Sequence, residues 1–454
     1  MVAIDFLATC GSASIPEFHR AGSGSRQHRI GDKHHAALSG IAMSTARPDV
    51  LRPAAHGLKA VITAWVMALL PLAFRILRAI RPITRFGNTV LVTRYDDVRE
   101  VFLNDAAFRV PYAEKLNVIM GGQPFFLGMD DTPLYRRDTD AMRKVVRIND
   151  IPERLTAEVE RMGQQIVAEA GGSLEVVDQL ARRIAFEVYS NYFGLTAPPG
   201  GDLRISATRL FEFQFVDPDN DPSLRAEIDV IAPALRNHIQ HLIEARRNAG
   251  QGPDNILGRS VDMQAQGVDG FGDDQIRNAL LGFVFGGPPQ PAMVVPQALE
   301  QLLRRPDALA GAQQAARDGD DKLLAGYFFE AMRFDPIGPF MPRVASKDAA
   351  IAAETSHAAQ VPKGANVFVA FSSAMMDQRR VPDPQAFNPR RSPDQYIHFG
   401  YGLHQCFGIH LNKALLPLML KALLQRQNLR RAPGPRGKLI KRGAFADTLF
   451  VNYD

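Results

Sequence analysis

Apolar residues recur along most of this chain at helical spacing, broken by short polar or proline-containing stretches. Residues 150–280 predict a run of amphipathic helices, interrupted around Pro198–Asp202, Asp217–Pro222 and Gly250–Pro253. Upstream, GNTVLVTRYDDVREVF alternates β-type residues and then opens a helix at the acidic pair Asp96–Asp97. Residues 111–130 (PYAEKLNVIMGGQPFFLGMD) are apolar but irregular and cut by glycine. Residues 275–305 (QIRNALLGFVFGGPPQPAMVVPQALEQLLRR) read as helical at both ends and broken between. There Pro288, Pro289, Pro291 and Pro296 remove four backbone donors, and each interior proline costs on the order of 3 kcal/mol unless compensated. Ile409–Leu424 (IHLNKALLPLMLKALL) reads as an apolar helix. The expected fold class is mainly α with a small β region, in one domain over 81–454.

The N-terminal part differs. Residues 1–50 are rich in Gly, Ser, Ala, His and Arg without periodicity, and read as a mobile tail. Asp5 interrupts the start and no basic segment precedes an apolar run, so no secretory signal is expected. Within 51–80, Ala60–Phe74 gives fifteen uncharged residues, short of the ~20 that cross a bilayer, with Lys59 before and Arg75, Arg78 and Arg81 after. Two readings stand: residues 58–81 lie in a membrane interface with arginines at the headgroups, or form an ordinary first helix packed on a cytoplasmic protein.

Composition narrows the class. At 454 residues, folding should bury roughly three quarters of the unfolded surface, enough to wall a cofactor off from water. A net charge of +5 without a basic, aromatic-interleaved stripe sets nucleic-acid binding aside, while allowing acidic lipids or an acidic redox partner. Two cysteines, Cys10 and Cys406, give no disulfide framework.

Cys406 lies in the stretch Phe399–Gly408, FGYGLHQCFG. Gly400, Gly402 and Gly408 permit a tight turn near a flat ligand, and the following helix places Cys406 at a helix N-terminus, which favours a thiolate. A lone thiolate without a CxxC partner argues against structural zinc and fits haem iron with one axial thiolate. The bland alternative is a small buried hydrophobe.

The pattern F-x-x-G-x-H-x-C-x-G resembles the haem-binding loop of the cytochrome P450 superfamily at every fixed position. The resemblance implies the cytochrome P450 fold and haem b, with Cys406 as proximal iron ligand and metal-binding residue, Phe399 packed below the iron and His404 donating to a propionate. Arg343 matches a strand arginine that pairs with a propionate, and Tyr396 stands where relatives place another propionate donor. Glu330 and Arg333 match a buried E-x-x-R pair whose third partner is absent at Ala386, leaving Arg379, Arg380 or Arg390 to reach in. Ile119, Met120, Phe125 and Phe126 fall in the loop that covers the substrate pocket, and Ile337–Pro339 with Phe340 pass above the haem edge. In DDTPLYRRDTDAMRKVVR the expected propionate arginine is missing whether Leu134 or Tyr135 sets the frame. Arg136, Arg137 or Arg143 substitutes for it, or they form a solvated face.

The largest departure lies on the distal side. Oxygen-using members carry A-G-x-acid-Thr there, the acid and alcohol relaying protons to the reacting oxygen. This chain has Gly286, Gly287, Pro288, Pro289 and Gln290, so neither proton carrier is present. The resemblance thus implies a haem-thiolate oxidoreductase acting on an apolar, fatty-acid-like substrate with peroxide or a substrate hydroperoxide, as a peroxygenase or hydroperoxide isomerase. Gln290, Gly287 and Gly286 are its candidate catalytic residues. The alternatives are a dioxygen-dependent monooxygenase served by a separate ferredoxin or reductase, and a haem-binding protein without turnover.

Overall fold

The computed structural model describes residues 49–53 and 58–454, with side chains placed from residue 65 in the second stretch. The expected tail lies outside these residues except for its last two. The protein is mainly helical with small sheets.

The polypeptide enters through α1 (Leu58–Ile80), a helix with Pro71 inside it and no acidic residue. Phe74 is buried against Leu91 and Phe368 of the main sheet and Ala370 just beyond it, with Leu70 and Leu77 packed beside it. Arg78 turns inward and donates to the Ser373 hydroxyl at 2.8 Å and carbonyl at 3.1 Å. Its place among headgroup arginines is therefore corrected: Arg78 holds the helix to the core. The opposite face exposes Trp65, Met67, Leu69, Leu72, Ile76 and Ile80. Among the described residues no helix is long and apolar enough to cross a membrane.

The alternating segment folds as a hairpin, β1 (Ile83–Phe86) and β2 (Thr89–Val92), turned at Gly87 with φ +56°. It is followed by α2 (Tyr95–Leu103), whose first turn holds Asp96 and Asp97 where the helix dipole favours acids. A short strand β3 (Phe108–Arg109) comes next. Later strands include β4 (Met341–Ala345), a separate hairpin β5 (Ala349–Ile351) and β6 (Ala359–Val361), and β7 (Asn366–Val369). The five-stranded sheet runs β1-β2-β7-β4-β3, with β7 parallel to β2 and antiparallel to β4. Strand alternation turns Arg343 and Ala345 of β4 inward together, which carries a charged side chain into the interior.

Helices supply the rest. They include α3 (Pro133–Val145), α4 (Thr156–Glu169), α5 (Arg183–Phe193), α6 (Pro222–Ala249), α7 (Asp273–Gly286), α8 (Pro291–Leu303), α9 (Asp321–Phe334) and α10 (Ile409–Leu424). The Thr132 hydroxyl accepts from the Tyr135 N–H at 3.1 Å and Pro133 opens the first turn, so α3 has a complete N-terminal signal. From Leu415 to Leu424 every residue of α10 is buried, and Gly163 of α4 admits it closely: a Cβ there would stand 3.5 Å from Ala422.

The proline-rich middle breaks into two helices, and the load on it is smaller than the sequence suggested. Pro288 and Pro289 lie in the turn between α7 and α8, and Pro291 opens α8, where an N–H has no intrahelical partner to lose. Only Pro296 is interior.

Candidate active site

The cysteine loop is a folded hairpin that leads into α10. The Cys406 N–H donates to the Phe399 carbonyl at 2.9 Å, and the Ile409 N–H to the Cys406 carbonyl at 3.1 Å. Gly400 and Gly402 take φ of +67° and +72°, which side chains resist. At Gly402 the close neighbour is protein: a Cβ would stand 2.5 Å from the Phe102 carbonyl at the end of α2. Gly408 has ordinary backbone angles and instead leaves room for Asn412, whose amide nitrogen would lie 3.3 Å from a Cβ there.

Cys406 is a free thiol. Burial raises its pKa above the ordinary thiol range, against the Gly408 N–H and the Asn412 amide, which both favour the anion. Metal coordination is what removes such a proton outright.

Above the loop, β4 brings Arg343 to within reach of the same space. The residue is 2% exposed; its guanidinium lies over the Phe102 ring at 4.9 Å, donates to the carbonyl of its neighbour Pro342 and interacts with the Tyr112 hydroxyl. Its Nε has no hydrogen-bond partner, and no carboxylate forms an ion pair with it among the described residues. Burial lowers its pKa, with the Tyr112 hydroxyl and Asp105 pulling the other way. His404 is held neutral, its pKa lowered to about 4 by burial first and the Arg343 charge second. A buried cation is costly unless an anion offsets it, and Arg343 and His404, close enough for the one charge to act on the other, both carry N–H groups that could donate to a carboxylate. That donor set fits a haem propionate pair above a sulfur ligand.

The Tyr135 hydroxyl donates to the Leu403 carbonyl at 2.6 Å, and its ring meets His404 edge-on at 6.1 Å. Arg136, Arg137 and Arg143 pair with Asp131, Asp138 and Asp140 instead. The solvated-face reading of these arginines is the one the geometry supports.

Beneath the loop lies a charge cluster that sequence reasoning only half found. Glu330 and Arg333 are wholly buried and joined at 2.7 and 2.9 Å. The third partner is Arg391, whose Nε donates to Glu330 at 3.1 Å. Arg379 and Arg380 pair with Asp377 and Asp96, and the Arg390 N–H donates to the Asn388 side chain at 2.9 Å. Tyr396 is also corrected: its hydroxyl donates to Glu330 at 3.0 Å and its ring stacks on His398, so it belongs to this cluster rather than to a propionate. Phe399 packs edge-on against Phe329 of α9 at 6.0 Å, which ties the cysteine loop to the cluster's helix.

On the distal side, the Gly287 N–H donates to the Phe283 carbonyl at 2.9 Å and closes α7. A Cβ at Gly287 would stand 2.9 Å from that carbonyl, whereas one at Gly286 would meet nothing within 4 Å. The Gln290 side-chain NH₂ donates to the Gly286 carbonyl at 2.7 Å, replacing the backbone donor that an unbroken helix would supply. From Asn278 to Leu299 no residue is acidic, basic or hydroxyl-bearing. Phe125 fills the space beside Gly282, and Phe126 and Phe283 approach Phe407, next to the cysteine, at 5.3 and 5.6 Å. Ile119 and Met120 are buried in the main core.

Residues 210–445 match the family described as Cytochrome P450. The chain therefore belongs to the cytochrome P450 family, whose members bind haem b. A bifunctional dioxygenase–epoxy alcohol synthase of Pyricularia oryzae is 26% identical over 396 residues, covering 78% of this chain and 34% of that protein. The chain thus spans about a third of that relative's length. A steroid C26-monooxygenase of Mycolicibacterium smegmatis is 24% identical over 361 residues, covering 78% of this chain and 84% of the other. Among solved structures, P450BioI in complex with an acyl carrier protein superposes with a TM-score of 0.73 at 18% identity, covering 86% of this chain and all of that one.

Proposed function

We propose that this protein rearranges a lipid hydroperoxide at a thiolate-ligated haem. Bound haem supplies a redox-active iron at which an O–O bond can be broken. Cys406 would ligate it, and Arg343 with His404 would hold its propionates. The observation that carries the reading is the distal break, where the acid and alcohol positions are Pro289 and Gln290 and no proton carrier stands from Asn278 to Leu299. Reductive splitting of dioxygen consumes protons and electrons. A hydroperoxide and its rearranged product are isomers, so that reaction needs neither from outside. A distal surface of glycine, proline and amide then suffices. Gln290 would orient the substrate oxygens through its amide oxygen, since its NH₂ is held by Gly286.

Phe125, Phe126, Phe283 and Phe407 make an aromatic surface suited to an acyl chain, and the epoxy alcohol synthase similarity points to a fatty-acid hydroperoxide. Peripheral membrane contact belongs to the same proposal. The exposed apolar face of α1 carries Arg75 and Arg81 beside it, and a cleft of about 330 Å³ at its end is lined by Arg81, Arg85 and His357. Dioxygen-dependent monooxygenation, which the steroid monooxygenase similarity favours, is the second reading. Incubating the haem-loaded protein anaerobically with a fatty-acid hydroperoxide, without reductase or reduced nicotinamide, should yield an isomeric product. Turnover seen only with dioxygen, a reductase and reduced nicotinamide would select the second reading.

A further inference from the structure

Asn412, on the first turns of α10, stands behind the cysteine sulfur. Its Nδ2 lies 3.9 Å from Cys406 Sγ. Its Oδ1 accepts from the Tyr189 hydroxyl of α5 at 3.0 Å, and its backbone N–H donates to the Gly408 carbonyl at 2.9 Å. Tyr189 is 1% exposed, so its hydroxyl proton has no water to turn to. Donation from Tyr189 fixes which end of the carboxamide faces the sulfur, because the amide oxygen is then occupied and the NH₂ is left for Sγ. A flipped amide would set its oxygen against an anionic ligand. The absence of a side chain at Gly408 leaves the approach open.

We propose that Asn412 is a positioning residue that hydrogen-bonds the iron-ligating sulfur, with Tyr189 holding the amide in register. A hydrogen bond to a thiolate ligand withdraws electron density from it and stabilises the reduced metal, as outer-shell donors do at other metal sites. The inference rests on Cys406 as axial ligand and not on which oxidant the enzyme uses. Tyr189 also borders the distal break: a Cβ on Gly287 would stand 3.5 Å from its ring. One residue thus touches both the interrupted helix and the donor to the sulfur.

The test uses the haem-loaded full chain. Asn412→Leu keeps the branched shape and removes the donor, and Tyr189→Phe keeps the ring and removes the hydroxyl. Spectroelectrochemistry should show the ferric–ferrous midpoint of Asn412→Leu displaced to more negative potential. The expected displacement is about tenfold in the equilibrium, which for one electron is about 59 mV. Tyr189→Phe should move it the same way by less. The double variant should match Asn412→Leu rather than the sum, because Tyr189 acts through Asn412. A purely structural Asn412 would lower the thermal midpoint and leave the potential where it was, and that result would overturn the proposal. So would full additivity. Should Asn412→Leu fail to fold, Tyr189→Phe alone decides by the same displacement. A parent protein whose ferrous carbonyl adduct lacks the thiolate-type Soret band would overturn the ligand assignment and this inference together.

Discussion

Replacing Arg391 should loosen the cysteine loop without touching any residue of it. Glu330 accepts five donors: two from Arg333, and one each from Arg391, the Tyr396 hydroxyl and the Asn388 N–H at 2.9 Å. Arg391 also donates to the carbonyls of Pro382, Asp383 and Ala386, closing the meander that leads to Phe399. Arg391→Ala leaves those carbonyls short of donors and Glu330 with one cation. Breaking such a buried pair costs on the order of 3–5 kcal/mol. Tyr396→Phe removes one hydrogen bond to a charged group and should cost about 1.5–3 kcal/mol. Glu330→Gln should be worst, since it strands two buried guanidinium groups. Urea midpoints followed by far-UV circular dichroism and by the Soret band give the ranking, and haem should be lost before helix in each variant.

The same cluster sets an acid limit. Burial alone would raise the Glu330 pKa, but Arg333, the Asn388 N–H and Arg391 outweigh it and hold the carboxyl below its ordinary value of 4.5. The unfolded chain therefore binds the proton first as pH falls. The stability Glu330 contributes is complete above about pH 4.5 and drains at about 1.4 kcal/mol per pH unit below it, until the folded group also titrates. Glu330→Gln should abolish that component. An Arg391→Ala protein within about 0.5 kcal/mol of the parent, well under the pair-breaking range, and with normal haem retention, would refute this account.

Three shorter expectations accompany it. Arg343→Leu should fold, since it removes a buried cation that forms no ion pair among the described residues, yet retain haem poorly in a competition against apomyoglobin; undiminished retention would remove Arg343 from the propionate site. Because burial raises the Cys406 thiol pKa and ligation requires the thiolate, haem binding should release about one proton per site, measurable by pH-stat; no release in the parent, or equal release in Cys406→Ala, would contradict the ligation. Trp65 is the only tryptophan, so a blue shift of its emission with anionic but not zwitterionic vesicles, lost in Leu69→Glu/Leu72→Glu, would place α1 at a bilayer surface.

The fold was legible because its signals are local. Ten residues around Cys406 and the i,i+3 spacing of Glu330 and Arg333 carry enough pattern to place the loop and the helix that supports it. What was missed depends on reach across the chain. Arg391 and Arg390 are neighbours in an irregular meander, and only the folded path decides which guanidinium turns inward. Tyr396 has a hydroxyl that could serve a propionate or a carboxylate, and the closeness of Glu330 settles it. Nothing in the sequence pairs Tyr189 with Asn412, 223 positions apart. The proline penalty was overestimated for a similar reason. The cost of each proline depends on whether its missing N–H had a partner, and three of the four fall where it had none.

The two sides of the site follow opposite principles. Beneath the cysteine loop, charge is buried and saturated with partners, so it fixes geometry and has no proton to spare near neutral pH. From Asn278 to Leu299 the chain offers apolar groups, an open Gly286 edge and uncharged amides, of which Gln290 is tied to its own helix end. Mutating Gln290 to Thr would restore a hydroxyl but leave Pro289 without an acid, and would also free the Gly286 carbonyl that Gln290 now satisfies. The break in the helix and the lack of a proton carrier are therefore one feature. The Gln290 side chain is used to end a helix that prolines have already interrupted. Recovering a relay would require rebuilding the turn from Gly287 to Gln290, and no single substitution within it does so.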